Sequence, residues 1–243
     1  MESVPWLSWL LAGGAICAVL TLYPYLATAI AYRGSDNGLA YILLVMGVSL
    51  WNAMFVAQLL DPRPAVQGFF LSLSLVGASL AALGWFLFAG TASSTIAVPR
   101  QGLVYGLAAL AVGTNISLVI TNPTHEWYWV LAEGSGATGF VAIEPQLLYW
   151  LQTLLVVGLF GAGTALFVEA WRAGMYPRHS RRYVVAGTGT VLAVLGSATL
   201  APGGLSIAPL AAASLTTVGW LQARDGQALA GYRSYLPWGH SSK

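Results

Sequence analysis

Residues 39–64 read LAYILLVMGVSLWNAMFVAQLLDPRP. From Leu39 to Leu60 no charged side chain appears. At about 1.5 Å of helical rise per residue, such a run crosses a hydrocarbon core roughly 30 Å thick. Asp61-Pro62-Arg63-Pro64 then stops it. A proline ring blocks helical continuation and removes a backbone donor. The stretch reads as a membrane-spanning helix with a turn at its end.

Similar runs recur on both sides of it. They cover Trp6–Tyr32, Leu39–Leu60, Gly68–Ala89, Gly102–Thr121, Gln146–Trp171, Tyr183–Leu200 and Leu205–Leu221. The breaks are chemically plain: Arg33-Gly-Ser-Asp-Asn-Gly, Pro99-Arg100, Asn122-Pro123, the basic segment Arg172 to Arg182, and Ala201-Pro-Gly-Gly204. The chain is 57% hydrophobic and only 7% charged over 243 residues. A soluble domain carries about a quarter charged residues, so this chain cannot cover a water-facing surface. A β-barrel would show alternating segments of about 10 residues instead. The net charge of +2 gives no footprint for nucleic acid. Cys17 is the only cysteine, which excludes an intrachain disulfide. The first run is too long for a signal-peptide core and is expected to stay as a helix.

The expected fold is all-α, a polytopic membrane protein of the cell membrane. It is a seven-transmembrane helix bundle over residues 1–222 with a short cytoplasmic tail, 223–243. Orientation follows from the basic residues. With the N-terminus outside and the C-terminus inside, Arg33, Arg100, Arg172, Arg178, Arg181, Arg182, Arg224, Arg233 and Lys243 face the cytoplasm. Only Arg63 is left outside. An even number of spans would scramble this asymmetry. The longest outer connection is then Asn122 to Pro145, beginning Asn-Pro-Thr-His-Glu-Trp-Tyr-Trp. Trp127, Tyr128 and Trp129 either anchor it in an interfacial aromatic belt or roof a site. Trp6, Trp9, Trp150 and Trp171 lie near span ends and fit a belt.

Seven spans invite comparison with retinal proteins, but the chemistry is missing. A retinal Schiff base needs an intramembrane lysine, and Lys243 is the only lysine. No cofactor is expected. Glu169 is the only acid within a span. It is expected to be an interfacial carboxylate paired with an inner arginine, although an intramembrane acid is a functional candidate by default. His125, His179 and His240 fall on both sides of the membrane and cannot share a metal. No zinc-protease, hydrolase or nucleotide-loop motif appears, so no enzyme activity is expected.

Polar residues gather in the outer half. Thr114, Ser117 and Thr121 share one helical face, with Asn115 and Asn122 on its edge. Tyr149, Gln152 and Thr153 share another. Gln58 closes the second span and Gln67 opens the third. These groups serve either as interhelical glue or as a small polar pocket for an unknown small ligand. The candidate ligand-binding residues are Gln58, Gln67, Thr121, Asn122, His125, Trp127, Trp129, Tyr149 and Gln152. His125 makes acid sensing conceivable. Asn52, nearer mid-membrane, is expected to bond a neighbouring helix. Gly102-x-x-x-Gly106, Ala109-x-x-x-Gly113 and Gly189-x-x-x-Ala193 offer close packing, within the chain or in a homodimer. Pro24 and Pro209 are expected to kink their spans.

These residues resemble the seven-helix N-terminal sensor region of prokaryotic histidine kinases, especially archaeal ones. In that family the fourth helix leaves the membrane through Thr-Asn-Pro, then His and aromatic residues. Here that is Thr121-Asn122-Pro123-Thr124-His125-Glu126-Trp127-Tyr128-Trp129. Trp51 of the second span, followed by the Gln58 region, is a further match. The likeness runs from about Cys17 to Gln222. One departure is the third span, where LVGASLAALGW lacks the mid-helix proline that family members often carry. No phosphoacceptor-histidine or ATP-binding segment is found in these residues. The resemblance therefore implies sensing and a cytoplasmic kinase or transducer as partner, with the lipid bilayer as solvent. A small transporter would instead predict broken helices and two related halves, neither of which is visible. A non-catalytic subunit or scaffold of a membrane complex is the third alternative.

Overall fold

The computed structural model describes residues 5–31, 33, 38–92, 101–132, 142–174, 180–200, 206–217 and 220. Its helices are α1 (Pro5–Ala31), α2 (Gly38–Leu60), α3 (Pro64–Ala92), α4 (Gln101–Ile120), α5 (Asn122–His125), α6 (Leu147–Arg172) and α7 (Ser180–Leu200). Two short strands, β1 (Trp129–Leu131) and β2 (Ile143–Pro145), lie between α5 and α6. A final helical run covers 208–217. Six of these helices are long and apolar enough to cross a membrane. The chain is an all-α, multi-pass membrane protein. The expected seventh span falls on the final run, whose described part is shorter than a membrane crossing. The tail expected at 223–243 lies outside the described residues.

The directions of the helices can be read from residue contacts. In α2 and α3, Gly47 meets Ala81, Trp51 meets Gly77, and Leu44 meets Gly84. One index rises as the other falls, so the two helices are antiparallel. α3 and α6 run parallel: Trp85 Nε1 donates to Thr164 Oγ1 at 3.3 Å, and Gln152 Nε2 donates to the Leu75 carbonyl at 3.0 Å. α7 is antiparallel to α6, with Phe167 and Tyr183 stacked at 4.5 Å and Gly187 against Thr164. The final run is antiparallel to α2. Tyr41 donates to the Thr216 carbonyl at 3.0 Å, and Asn52 Nδ2 donates to the Pro209 carbonyl at 2.9 Å. The interhelical bond expected of Asn52 is therefore present.

The tightest packing is between α2 and α3. A Cβ at Gly47, Gly77 or Gly84 would collide with the backbone of the facing helix. Such approach is available because glycine on one helix leaves its face bare to the backbone of the other. α3 is the most enclosed span, with 72% of its apolar window buried. It touches α2, α4 and α6 at once, which explains why its serines and glycines face inward all round. α4 is the opposite case, with only 17% buried.

One sequence expectation is narrowed here and two are corrected. Gly102, Gly106, Gly113 and Gly189 have open space where a side chain would go. Among the described residues nothing packs against these glycines, although Ala193, paired with Gly189, is buried. Pro209 does not kink a span. It lies in the first turn of the final run, where a missing N–H costs nothing. Glu169 is exposed, and among the described residues it makes no ion pair; the only such pair is Asp61–Arg63. Pro24 does lie within α1.

Overpacking a close helix crossing costs about 1–3 kcal/mol. Gly47→Ala and Gly84→Ala are each expected to destabilise by at least that amount in unfolding titrations in detergent micelles. Gly106→Ala should stay within about 0.5 kcal/mol of the parent. A fully stable Gly84→Ala protein would show that the backbones need not approach so closely.

Candidate functional site

The segment that follows α4 folds back over one end of the bundle. Pro123 sits in the first turn of α5, which lasts a single turn. Glu126 ends it with a left-handed φ of 55°, unusual for a residue with a side chain. Its N–H donates to the Asn122 carbonyl at 2.7 Å. This reversal sends Trp127 to Leu131 back across the helix ends. β1 and β2 then pair antiparallel, Val130 opposite Glu144.

Asn122 holds this cap in place. It is 1% exposed. Its Oδ1 accepts the Tyr128 N–H at 2.9 Å, and its Nδ2 donates to the Trp129 carbonyl at 3.0 Å. Both ends of one amide are thus spent on the returning chain. The three aromatic residues of this stretch are not equivalent. Trp127 is exposed, as an interfacial anchor should be, while Tyr128 and Trp129 are buried. The Trp129 ring lies where a Cβ on Gly68 would be 2.7 Å away, so glycine at 68 makes room for it. Gln67, buried, donates from Nε2 to the Asp61 carbonyl at 2.6 Å and secures the turn between α2 and α3. In that turn Arg63 grips Asp61 through two nitrogens, at 3.0 and 2.7 Å. Arg63 holds the Asp61 carboxyl down to about 2, so this ion pair persists at mildly acidic pH and is lost only as pH falls through that value.

From the cap a hydrogen-bond chain runs into the bundle. Tyr128 donates to Asn115 Oδ1 at 2.7 Å. Asn115 Nδ2 donates to Ser79 Oγ at 3.0 Å. Gln152 Nε2 donates to the same Ser79 oxygen at 3.3 Å. Ser79 in turn donates to the Leu75 carbonyl at 3.0 Å. The chain joins the cap, α4, α3 and α6. Burial pushes the Tyr128 hydroxyl up to about 12, so it stays a donor at all physiological pH values.

Gln152 is also a wall of a cavity of about 80 Å³. The cavity lies between α2, α3, α6, α7 and the start of the final run. Gln58, Ser74, Tyr149, Gln152, Ser197 and Ser206 supply its polar surface. Apolar walls come from Trp51, Phe55, Val156, Val194 and Ala208. Among the described residues no Asp, Glu, Lys, Arg or His lines it. Among the described residues no group of His, Cys, Asp and Glu is arranged to hold a metal.

The nine residues selected from the sequence thus fall into two places. Gln58, Tyr149 and Gln152 line the cavity. Gln67, Asn122, His125, Trp127 and Trp129 build the cap and the neighbouring turn, while Thr121 lies on the lipid side of their junction, exposed. Thr114 and Ser117 do not join the site. They are exposed, and the Ser117 hydroxyl is satisfied by the Gly113 carbonyl on its own helix at 3.1 Å. Their neighbour Asn115 turns inward instead. Ser74, Ser79, Ser197 and Ser206 escaped the sequence reading because a lone serine in an apolar helix carries no periodic signal.

His125 is wired to both sides. The Trp127 N–H donates to its Nδ1 at 3.1 Å, and Thr121 Oγ1 lies 3.2 Å from Nε2. The Thr121 hydroxyl proton is directed to the Ser117 carbonyl at 2.9 Å. This arrangement fits a neutral imidazole carrying its proton on Nε2. A second proton, on Nδ1, would face the Trp127 N–H and break that contact.

The fold and site define a class: a multi-pass helical membrane protein with a structured cap joined by hydrogen bonds to the wall of a pocket between its helices. The family described as the N-terminal 7TM region of histidine kinase matches residues 9–222. The chain belongs to that family, a membrane sensor region of histidine kinases. Among curated protein sequences none matches it.

Asn122→Ala removes both bonds that seat the cap. A lost buried hydrogen bond costs about 1–3 kcal/mol. Hydrogen exchange at the Tyr128 amide is expected to quicken by roughly ten- to a hundredfold. Thr114→Ala, on the lipid side, should leave it unchanged.

Proposed function

We propose that this chain is a non-catalytic input module that detects a cue outside the cell and relays it to a cytoplasmic kinase or transducer. The observation that carries this reading is the hydrogen-bond chain from the cap to Gln152, which shares a pocket wall with the start of the final run. Tyr128, Asn115, Ser79 and Gln152 link the cap to the cavity. Ser206 and Ala208, at the start of the final run, form the opposite wall. That run is tied to α2 by two side-chain bonds, from Asn52 and Tyr41. A change in the cap therefore has a route to the last helix and the tail beyond it. No cofactor is needed for such a relay. A cue acts only through unequal affinity for two arrangements of the bundle.

The outward orientation of the cap is part of this proposal. Among the described residues, Arg33, Arg172, Arg181 and Arg182 lie at one end of the helices and Arg63 at the other. The first end is the cytoplasmic one under the positive-inside rule. The direction of the final run, opposite to α2, supports a seventh crossing toward the same side. In a Cys17→Ser background, a membrane-impermeant maleimide should label Thr124→Cys in intact cells. Ala173→Cys should react only after lysis. The reverse pattern would invert the sensor.

The relay is tested by distance. Spin labels at Val185→Cys and Ser214→Cys, with Cys17→Ser, report the separation of α7 from the final run in lipid nanodiscs. Both positions are exposed. Lowering the pH from about 8 to about 5 protonates histidines. It should shift this distance by about 1–2 Å or more, the scale of helix shifts in switching proteins. His125→Gln should abolish the acid response. Asn122→Ala should produce a shift without acid, and adding Asn115→Leu, which cuts the chain, should remove it. A distance indifferent to acid and to Asn122→Ala alike would overturn the relay.

A further inference from the structure

A second hollow lies away from the cap, between α7 and the final helical run. It is an open groove of about 510 Å³, within the range of small-molecule clefts. Val185, Gly189 and Ala193, four residues apart on one face of α7, form one side. Ile207 and Ala211 of the final run form the other. α7 runs parallel to α2 and the final run runs against it, so the two sides are antiparallel. Ala193 therefore lies toward Ile207. At the opposite end, beside Ser214, the groove is closed by Arg181 and Arg182. Val185 is 63% exposed and Ile207 59%, so the described fold does not fill the space between them. Gly189 deepens it, because a Cβ there would meet nothing within 4 Å.

The two ends of the groove ask for different chemistry. Its walls request no hydrogen bond, since the Ser214 hydroxyl already donates to the Ala211 carbonyl at 2.6 Å. The arginines are the contrary case. Among the described residues neither has an ion-pair partner, and no acid lines the groove. Glu169, the one described acid at that end of the bundle, is not among its walls. Guanidinium forks match phosphate oxygens, and basic pockets between membrane helices take anionic headgroups. The length fits as well. Arg181 and Ala193 are twelve residues apart, about 18 Å of helix, against about 15 Å for one leaflet of a 30 Å hydrocarbon core. Charge disfavours the other occupants. Residues 222–243 carry three basic side chains and one acid, and so bring no net negative charge. A second copy docking through the same face would set arginines against arginines.

We propose that the groove between α7 and the final run holds one anionic phospholipid, its phosphate on Arg181 and Arg182 and an acyl chain along Val185, Gly189 and Ala193. The lipid comes from the leaflet at the arginine end of the bundle. The site goes beyond the sensor reading and stands whether or not the bundle relays a cue.

Native mass spectrometry of the full chain in detergent micelles tests it, with dioleoyl phosphatidylglycerol and dioleoyl phosphatidylcholine at equal concentration. The acyl chains are the same, so the comparison reads the headgroup. The first lipid retained should be phosphatidylglycerol by roughly tenfold, the scale set by two basic side chains at an anionic headgroup. Arg181→Gln with Arg182→Gln should bring the two lipids to near parity. Gly189→Phe keeps both arginines and fills the groove, and should lower phosphatidylglycerol retention by a similar factor. Gly106→Phe, which also points into open space but on α4, should retain it. Equal retention of the two lipids by the parent, or an unchanged preference in Gly189→Phe, would overturn the proposal. So would displacement of the lipid by glycerol phosphate at matched concentration, which would assign the arginines to a soluble phosphate. A photoreactive label on Leu192→Cys, in a Cys17→Ser chain in mixed-lipid nanodiscs, names the neighbour directly. Phosphatidylglycerol should be the main adduct, whereas cross-links to a second copy or to residues 222–243 would replace the lipid as occupant.

Discussion

The backbone contact between α2 and α3 is the constraint on which the rest depends. In lipid, apolar side chains gain nothing by leaving solvent, so helices associate through packing and hydrogen bonds. Gly47, Gly77 and Gly84 supply the packing by letting two main chains touch. With α2 pressed to one side of α3, its other sides are left for α4 and α6. The polar edge of α3, carrying Ser72, Ser74 and Ser79, then faces inward. Moving α2 outward by the width of a methyl group would open the seam that closes one side of the cavity. The stability of the pair and the shape of the site are thus set by the same three glycines.

Polarity is distributed by a second rule. A hydroxyl on a helix can always return its proton to a carbonyl three or four residues back. Ser117, Thr121, Thr153, Thr190 and Thr199 all do so. Such residues can face lipid at little cost. An amide has two donors and two acceptor sites and cannot be satisfied that way. Asn52, Asn115, Asn122 and Gln152 are therefore all buried, and each reaches another element of the fold. The amides are the polar skeleton of the bundle. The hydroxyls join it only where, as at Ser79, an amide needs a partner.

This rule also explains what the sequence disclosed and what it did not. Spans were legible because lipid demands long uncharged runs, and their ends because Pro and Gly break helices. The Thr121-Asn122-Pro123 stretch announced a special connection, and Asn122 indeed seats the cap. The facing of α4 was not legible from periodicity. Thr114, Ser117 and Thr121 form the more regular polar stripe, yet Asn115 and Asn122, about one residue's rotation away, point inward. Counting polar positions treats hydroxyls and amides alike, whereas their ability to satisfy themselves differs. The glycines misled in the same way. Gly102 and Gly106 match the familiar four-residue spacing but lie open, while the functional pair, Gly77 and Gly84, is seven apart. Which glycine meets a backbone depends on the partner helix, and a single sequence does not name that partner. The β1–β2 ribbon was invisible because three-residue strands carry too little alternation to register.

The location of the unspent polar groups gives the arrangement its direction. Elsewhere in the bundle an amide that is not fully paired, such as Asn52, with Oδ1 unbonded, lies close to the final run. Gln152, whose Oε1 is also unbonded, belongs to the wall of the cavity that this run helps to close. Among the described residues, the buried polar atoms without a bond are spread between the cap, at Trp129 Nε1, and the bundle interior, at Asn52 and Gln152. A bundle whose polar groups were all paired would have a single preferred arrangement. A glycine-locked centre holds the bundle together, while the amides that cross between elements fix how the remaining helices sit around it.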